Sequence, residues 1–257
     1  MWRSKRRFFV HPEHRLELEE LGLHRLEGCL DCAAGPAVKV VKDQIPGRDV
    51  LRLERARGCY YLKRVRGKGW RDVPHEHAVL ERLRRHGLPV PEPVACGSED
   101  EQAVLVTVGL PTAATLEELL LGEPLEPARL RRLVHAVASL MRDLHGAGVN
   151  HRDFYAGHVH LDAQDRPYLV DLGRAEVRAR VPRRRVVKDL AALHFSVPER
   201  VLGPRVRLRF LVAYLRGGPD RCRARRIAYL VEAKSRRMRR HSLHKLRRGE
   251  PNVHVNE

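Results

Sequence analysis

The chain has 257 residues, enough for one large domain or two small lobes, and its 43% hydrophobic and 32% charged content is that of a globular protein with a buried core. It has no run of eighteen apolar residues, and its basic start lacks the apolar stretch and cleavage site of a secretory leader, so a cytoplasmic protein is expected rather than a spanning or secreted one. A net charge of +18 attracts polyanions without choosing among nucleic acid, an anionic membrane surface and a phosphorylated or acidic sugar.

In chain order, residues 12–30 carry a leucine-rich helical pattern (Leu16, Leu18, Leu21, Leu23, Leu26, Leu30) ended by A-A-G-P. Three short alternating stretches follow, A-V-K-V-V-K-D, V-L-R-L-E-R-A and Y-Y-L-K-R-V, with turn residues between them, and predict an antiparallel meander. H-E-H-A-V-L-E-R-L-R-R-H-G predicts a helix stopped by Gly87. L-P-V-P-E-P-V-A-C-G is too proline-rich for a helix, and Q-A-V-L-V-T-V-G-L reads as a strand. Beyond Thr115, Leu130, Leu133, Val134, Val137, Leu140, Met141 and Leu144 line one face of a long amphipathic helix closed by Gly146. The rest is a polar loop, a strand R-P-Y-L-V-D-L-G and increasingly basic helices. The expected architecture is α+β and two-lobed, with a cleft between the lobes: an N-terminal helical extension at 1–35, a β-rich lobe at 36–112 and a helical lobe at 113–257.

Five cysteines at 29, 32, 59, 96 and 222 include one C-x-x-C without a second pair at zinc spacing, which reads as ordinary reduced thiols. The loop N-H-R-D-F-Y-A-G-H-V-H-L-D, 150–162, is denser in chemistry. His151, His158 and His160 suggest a zinc site, but Arg152 and Phe154 break any ligand spacing. Phosphoryl transfer asks instead for a cation on nucleotide phosphates, an acid holding magnesium and an acid beside the attacking hydroxyl. Lys63 in the third meander strand, Glu76 thirteen residues on, Asp153 after the long helix and Asp171 at the end of a strand supply these parts in order.

H-R-D at 151–153, D-L-G at 171–173 and the strand lysine resemble the protein-kinase fold. H-R-D-F-Y-A-G-H-V-H-L, Y-L-V-D-L-G-R-A-E-V-R and V-V-K-D-L-A-A-L-H-F-S resemble more narrowly the lipopolysaccharide core heptose kinase branch of the Kdo/WaaP kinase family, over roughly residues 36–200. The resemblance implies an ATP- and magnesium-dependent sugar kinase acting on the lipopolysaccharide core. Lys63 would contact the ATP phosphates and pair with Glu76, Asp153 would act as the base toward a sugar hydroxyl, and Asp171 would hold magnesium. Asp189 would brace the loop.

Two positions depart from ordinary protein kinases. His158 stands where asparagine supplies a second magnesium ligand, although imidazole suits that hard ion poorly, so it either contacts phosphate or joins the metal. No G-x-G-x-x-G occurs, and only Gly47, with Arg48 beside it, is placed to approach the phosphates. Kdo, a small molecule or a protein are the alternative acceptors. A non-catalytic binder would lack Lys63, Asp153 or Asp171, and none is missing. The basic stretch from Arg221 to Arg248 reads as a landing site for anionic lipid or acidic core sugar, with nucleic acid disfavoured by the scarcity of aromatic residues there.

Overall fold

The computed structural model describes residues 7–55, 58–215 and 221–248, so the basic start and part of the expected turn before the third meander strand lie outside the described residues. The chain divides into two compact units, Met1–Pro111 and Thr112–Glu257. The first contains β1 (Arg7–Val10), α1 (Arg15–Glu20), α2 (Leu26–Asp31), β2 (Val38–Ile45), β3 (Arg48–Arg55), β4 (Gly58–Arg66), α3 (Asp72–Arg85), β5 (Pro93–Glu99) and β6 (Gln102–Val108). Its strands form one antiparallel sheet in the order β1-β5-β6-β4-β3-β2.

The leucine-rich segment expected as one helical pattern is broken into two helices at Gly22, whose φ is +71°. Leu23 N–H bonds to Leu18 O at 2.7 Å and Gly22 N–H to Glu19 O at 3.0 Å, a Schellman ending that glycine permits at little cost. Leu18, Leu23, Leu26 and Cys29 then pack on one sheet face against Leu51, Leu53, Tyr60, Leu62, Val104 and Val106.

Alternation along β4 sorts its side chains. Arg64 is on the same face as Leu62 and donates to both oxygens of Asp49 at 2.7 Å, and to the carbonyls of Leu30, at 3.0 Å, and Cys32. It thereby satisfies acceptors at the end of α2 that have no helical donor. Lys63, between Leu62 and Arg64, is left on the opposite face with α3. Burial pushes the Cys29 thiol up to about 12 and its Sγ–H donates to Leu23 O at 3.3 Å, so this half of the C-x-x-C is a packed, unreactive thiol.

The second unit contains β7 (Thr112–Thr115), α4 (Leu116–Leu121), α5 (Pro127–Gly146), β8 (Val149–Asn150), β9 (Val159–Asp162), β10 (Pro167–Leu169), β11 (Glu176–Val177), α6 (Arg183–Ser196), α7 (Pro204–Tyr214) and α8 (Arg221–Arg247). Thr115 and Glu118 close a reciprocal capping box that starts α4. The apolar stripe of α5 is buried as its spacing predicts, from Leu133 to Leu144. With α4, α6, α7 and α8 it surrounds an apolar cavity lined by Leu120, Val137, Leu193 and Leu211 among others.

His194 of α6 borders that cavity, and its Nδ1 lies 3.0 Å from Ser235 Oγ of α8. Burial first, then Arg207 and Arg239, lower its pKa from the ordinary 6.5 to about 4. The unfolded chain therefore takes up this proton before the folded one. His194 accordingly makes stability rise with pH between about 4 and 6.5, and acid withdraws that contribution. Melting curves across that window should shift down with acidification, and His194→Gln should flatten the slope. An unchanged slope in the variant would refute the assignment.

Candidate active site

Two loops of the second unit carry the chemistry, and short ladders hold them side by side. β8 pairs with β11, opposing Asn150 to Glu176, which fixes the entry to one loop and the exit from the other. β9 pairs with β10, opposing Val159 to Leu169, and Val170 N–H bonds to His158 O at 3.1 Å. Residues 151–158 and 170–175 are thus neighbouring loops although Asp153 and Asp171 are eighteen positions apart in sequence.

The 151–158 loop is held by buried hydrogen bonds. Asp189 of α6, 0% exposed, accepts the backbone N–H groups of His151 (Oδ2) and Arg152 (Oδ1), both at 2.8 Å. Its Oδ2 also lies 3.1 Å from His145 Nε2, and His145 Nδ1 lies 2.8 Å from the Tyr214 hydroxyl. Since a carboxylate only accepts, Nε2 carries the proton, and in neutral His145 Nδ1 accepts from the tyrosine. Ser196 Oγ takes the Ala156 N–H at 2.7 Å, and Phe154 is fully buried. These bonds hold Arg152 at φ +74°, while Asp171 sits at +58°, a backbone region that L-residues other than glycine enter at a cost of order 1–3 kcal/mol.

The three loop histidines diverge rather than converge on a metal. His151 Nε2 donates to Val170 O at 2.9 Å and joins the two loops, and burial first, then His158, lower its pKa, favouring the neutral ring. His160 lies 3.5 Å from Thr112 Oγ1. His158 Nδ1 donates to Asp153 O at 2.8 Å, and its Nε2 is turned to Asp171 Oδ2 at 3.7 Å. Among the described residues no group of three or more His, Cys, Asp or Glu side chains is arranged to hold a metal ion.

Magnesium needs less from protein. It takes one or two carboxylates and completes its octahedron with water and phosphate oxygen. Asp171, 43% exposed, offers the hard oxygen this requires, so the residue present fits the ion.

Asp153 is flanked by two cations that sequence reading did not select. Arg174 Nη1 donates to Asp153 Oδ2 at 2.8 Å, and Lys188 Nζ of α6 lies 4.0 Å from Oδ1. Burial lowers the Lys188 pKa and Asp153 opposes that shift. Nearby, Arg152, Arg178 and Arg185 approach the one carboxylate of Glu176 at 3.6, 3.2 and 2.9 Å. The available signal was charge density: residues 174–188 hold seven Lys or Arg and a single acid.

In the first unit Lys63 Nζ meets Glu76 Oε2 at 2.7 Å, so β4 and α3 bring together the two residues expected to pair. Glu76 is buried, and an ammonium beside it offsets the cost of burying its charge. Gly47, at φ +75°, has its own structural reason. A Cβ there would stand 2.5 Å from Arg66 O, and Gly47 O accepts the Arg66 N–H at 2.7 Å. Arg48 reaches Asp72 at 3.5 Å.

Comparison with known proteins finds likenesses of sequence and of fold. The model of the lipopolysaccharide kinase (Kdo/WaaP) family matches residues 59–214. The lipopolysaccharide core heptose(I) kinase WaaP of Pseudomonas aeruginosa is 36% identical over 202 residues, 67% of this chain and 75% of that protein. The protein of the same name from Escherichia coli is 31% identical over 200 residues, 66% of this chain and 76% of its own. A crystal structure of aminoglycoside-3'-phosphotransferase of type VIII superposes with a TM-score of 0.56 at 20% identity, over 77% of this chain and 94% of that one, a likeness of fold.

Proposed function

The chain belongs to the lipopolysaccharide kinase (Kdo/WaaP) family, and from that premise we propose that it transfers the γ-phosphate of ATP to a heptose hydroxyl of the lipopolysaccharide inner core. The observation that carries this reading is the pair of adjoining loops that present Asp153 and Asp171, braced by Asp189 and joined by His151. Asp153 orients the attacking hydroxyl and takes its proton. Lys63, steadied by Glu76, contacts the ATP phosphates, and Gly47, in the turn between β2 and β3, and Arg48, the first residue of β3, supply backbone N–H and charge to them. Asp171 holds magnesium, which when bound neutralises charge on the phosphate oxygens. His158, its Nδ1–H committed to the Asp153 carbonyl, turns Nε2 toward Asp171; with its lone pair that nitrogen would stand beside the magnesium held by Asp171, and only with a second proton would it donate to a phosphate oxygen.

The test is direct. Protein given magnesium and labelled ATP should label lipopolysaccharide that lacks its core heptose phosphate, and removal of divalent metal by a chelator should stop it. Product NMR should place the phosphate on heptose. No label on any core sugar would overturn the reading.

No helix among the described residues is long and apolar enough to cross a membrane. α8 exposes Arg225, Arg226, Arg237 and Arg240, and we assign it to the anionic membrane surface on which such an acceptor is built. Vesicles containing anionic lipid should sediment the protein at low salt and release it at high salt, and neutral vesicles should not bind it. Equal sedimentation with both would sink this assignment.

A further inference from the structure

We infer that Arg174 reads the acceptor: it binds a carboxylate carried by the sugar next to the accepting hydroxyl, and in doing so leaves Asp153 free to take that hydroxyl. The inference rests on the kinase reading above and names a specificity determinant of the same site.

Both oxygens of Asp153 face a cation, Arg174 at 2.8 Å and Lys188 at 4.0 Å. In that state the guanidinium engages Oδ2, and an incoming hydroxyl must compete with it for the carboxylate. The two cations differ in freedom. Lys188 is half-buried on α6, whereas Arg174 is 59% exposed and sits in the turn that Ala175 N–H closes on Leu172 O. An exposed ion pair of this kind is only weakly favoured over its solvated partners, so exchanging its carboxylate costs little. A sugar-acid carboxylate offers the guanidinium an equivalent, two-pronged partner, and a neutral sugar offers none. The surroundings favour such a group: Arg152, Arg178 and Arg185 share the single carboxylate of Glu176, leaving positive charge in excess around the site. Lys188, 4.0 Å from Oδ1, stays beside Asp153 when Arg174 leaves.

The experiment is a coupling cycle between protein and acceptor. Wild-type protein and Arg174→Gln are assayed on core lipopolysaccharide and on the same acceptor with its carboxylates reduced to alcohols. Each change alone should raise the acceptor KM about tenfold, the loss of one charge-assisted contact, and both together should still raise it about tenfold rather than a hundredfold. The ATP KM should not follow, and Arg174→Lys should recover part of the acceptor KM. Additive penalties, or a rise in the ATP KM in place of the acceptor KM, would overturn the inference while leaving the kinase reading intact. Wild-type protein that labels neither acceptor would overturn both.

Discussion

Asp153→Asn should lower phosphoryl transfer to the core sugar by roughly 10²- to 10⁴-fold, the range that a positioned general base contributes. The substitution keeps the shape of the side chain and one acceptor oxygen, so the loop fastened by Asp189, Ser196 and Phe154 has no reason to move. Its folded-state cost is small. The bond to Arg174 is largely exposed, and Lys188 at 4.0 Å loses only a distant partner. The expected signature is a collapsed kcat with a nearly unchanged melting temperature and an ATP KM within a few-fold of wild type. The competing reading makes Asp153 a structural counter-ion for its two cations. It predicts the reverse, a lowered melting temperature with most of the activity retained, and that result would remove Asp153 from the chemistry.

The parts of this site that were legible in sequence are those whose placement is local or periodic. Alternation along β4 puts Lys63 opposite Leu62 and Arg64, and the start of α3 follows closely enough for Glu76 to reach it at 2.7 Å. Asp171 was legible as the acid beyond a short strand, β10, whose last residue, Leu169, is buried. Arg174 and Lys188 were not, because their approach to Asp153 depends on pairing β8 with β11 and on docking α6 under the loop. Neither follows from a pattern within one segment, and the longer basic run of α8 drew the electrostatic reading away from them. β1 was missed for the same reason. Arg7–Val10 is too short to carry a period, and its strand character comes from its partner, with Phe9 opposite Cys96 and Val10 opposite Ala95.

Asp189→Ala is expected to be the most damaging single change to the second unit. Two backbone N–H groups, those of His151 and Arg152, would lose the carboxylate oxygens that accept them, the first fully and the second partly buried, and His145 Nε2–H would lose its carboxylate as well. At about 1–3 kcal/mol for each of the two stranded backbone donors, the loss is roughly 2–6 kcal/mol, or about 4–24 °C in melting temperature. Asp189→Asn separates the charge from the geometry. Its single oxygen satisfies one of the two N–H groups and its NH₂ is turned against the other, so it should be milder than alanine yet still displace the backbone that holds Arg152 at φ +74°. Since Asp153 is the next residue, both variants should lose kcat while the ATP KM holds, because Lys63 and Glu76 belong to the other unit. A full-strength kcat in Asp189→Asn, with its melting temperature unchanged, would mean that the loop holds its shape without this carboxylate, and that the positive φ at Arg152 is set by the ladders on either side instead.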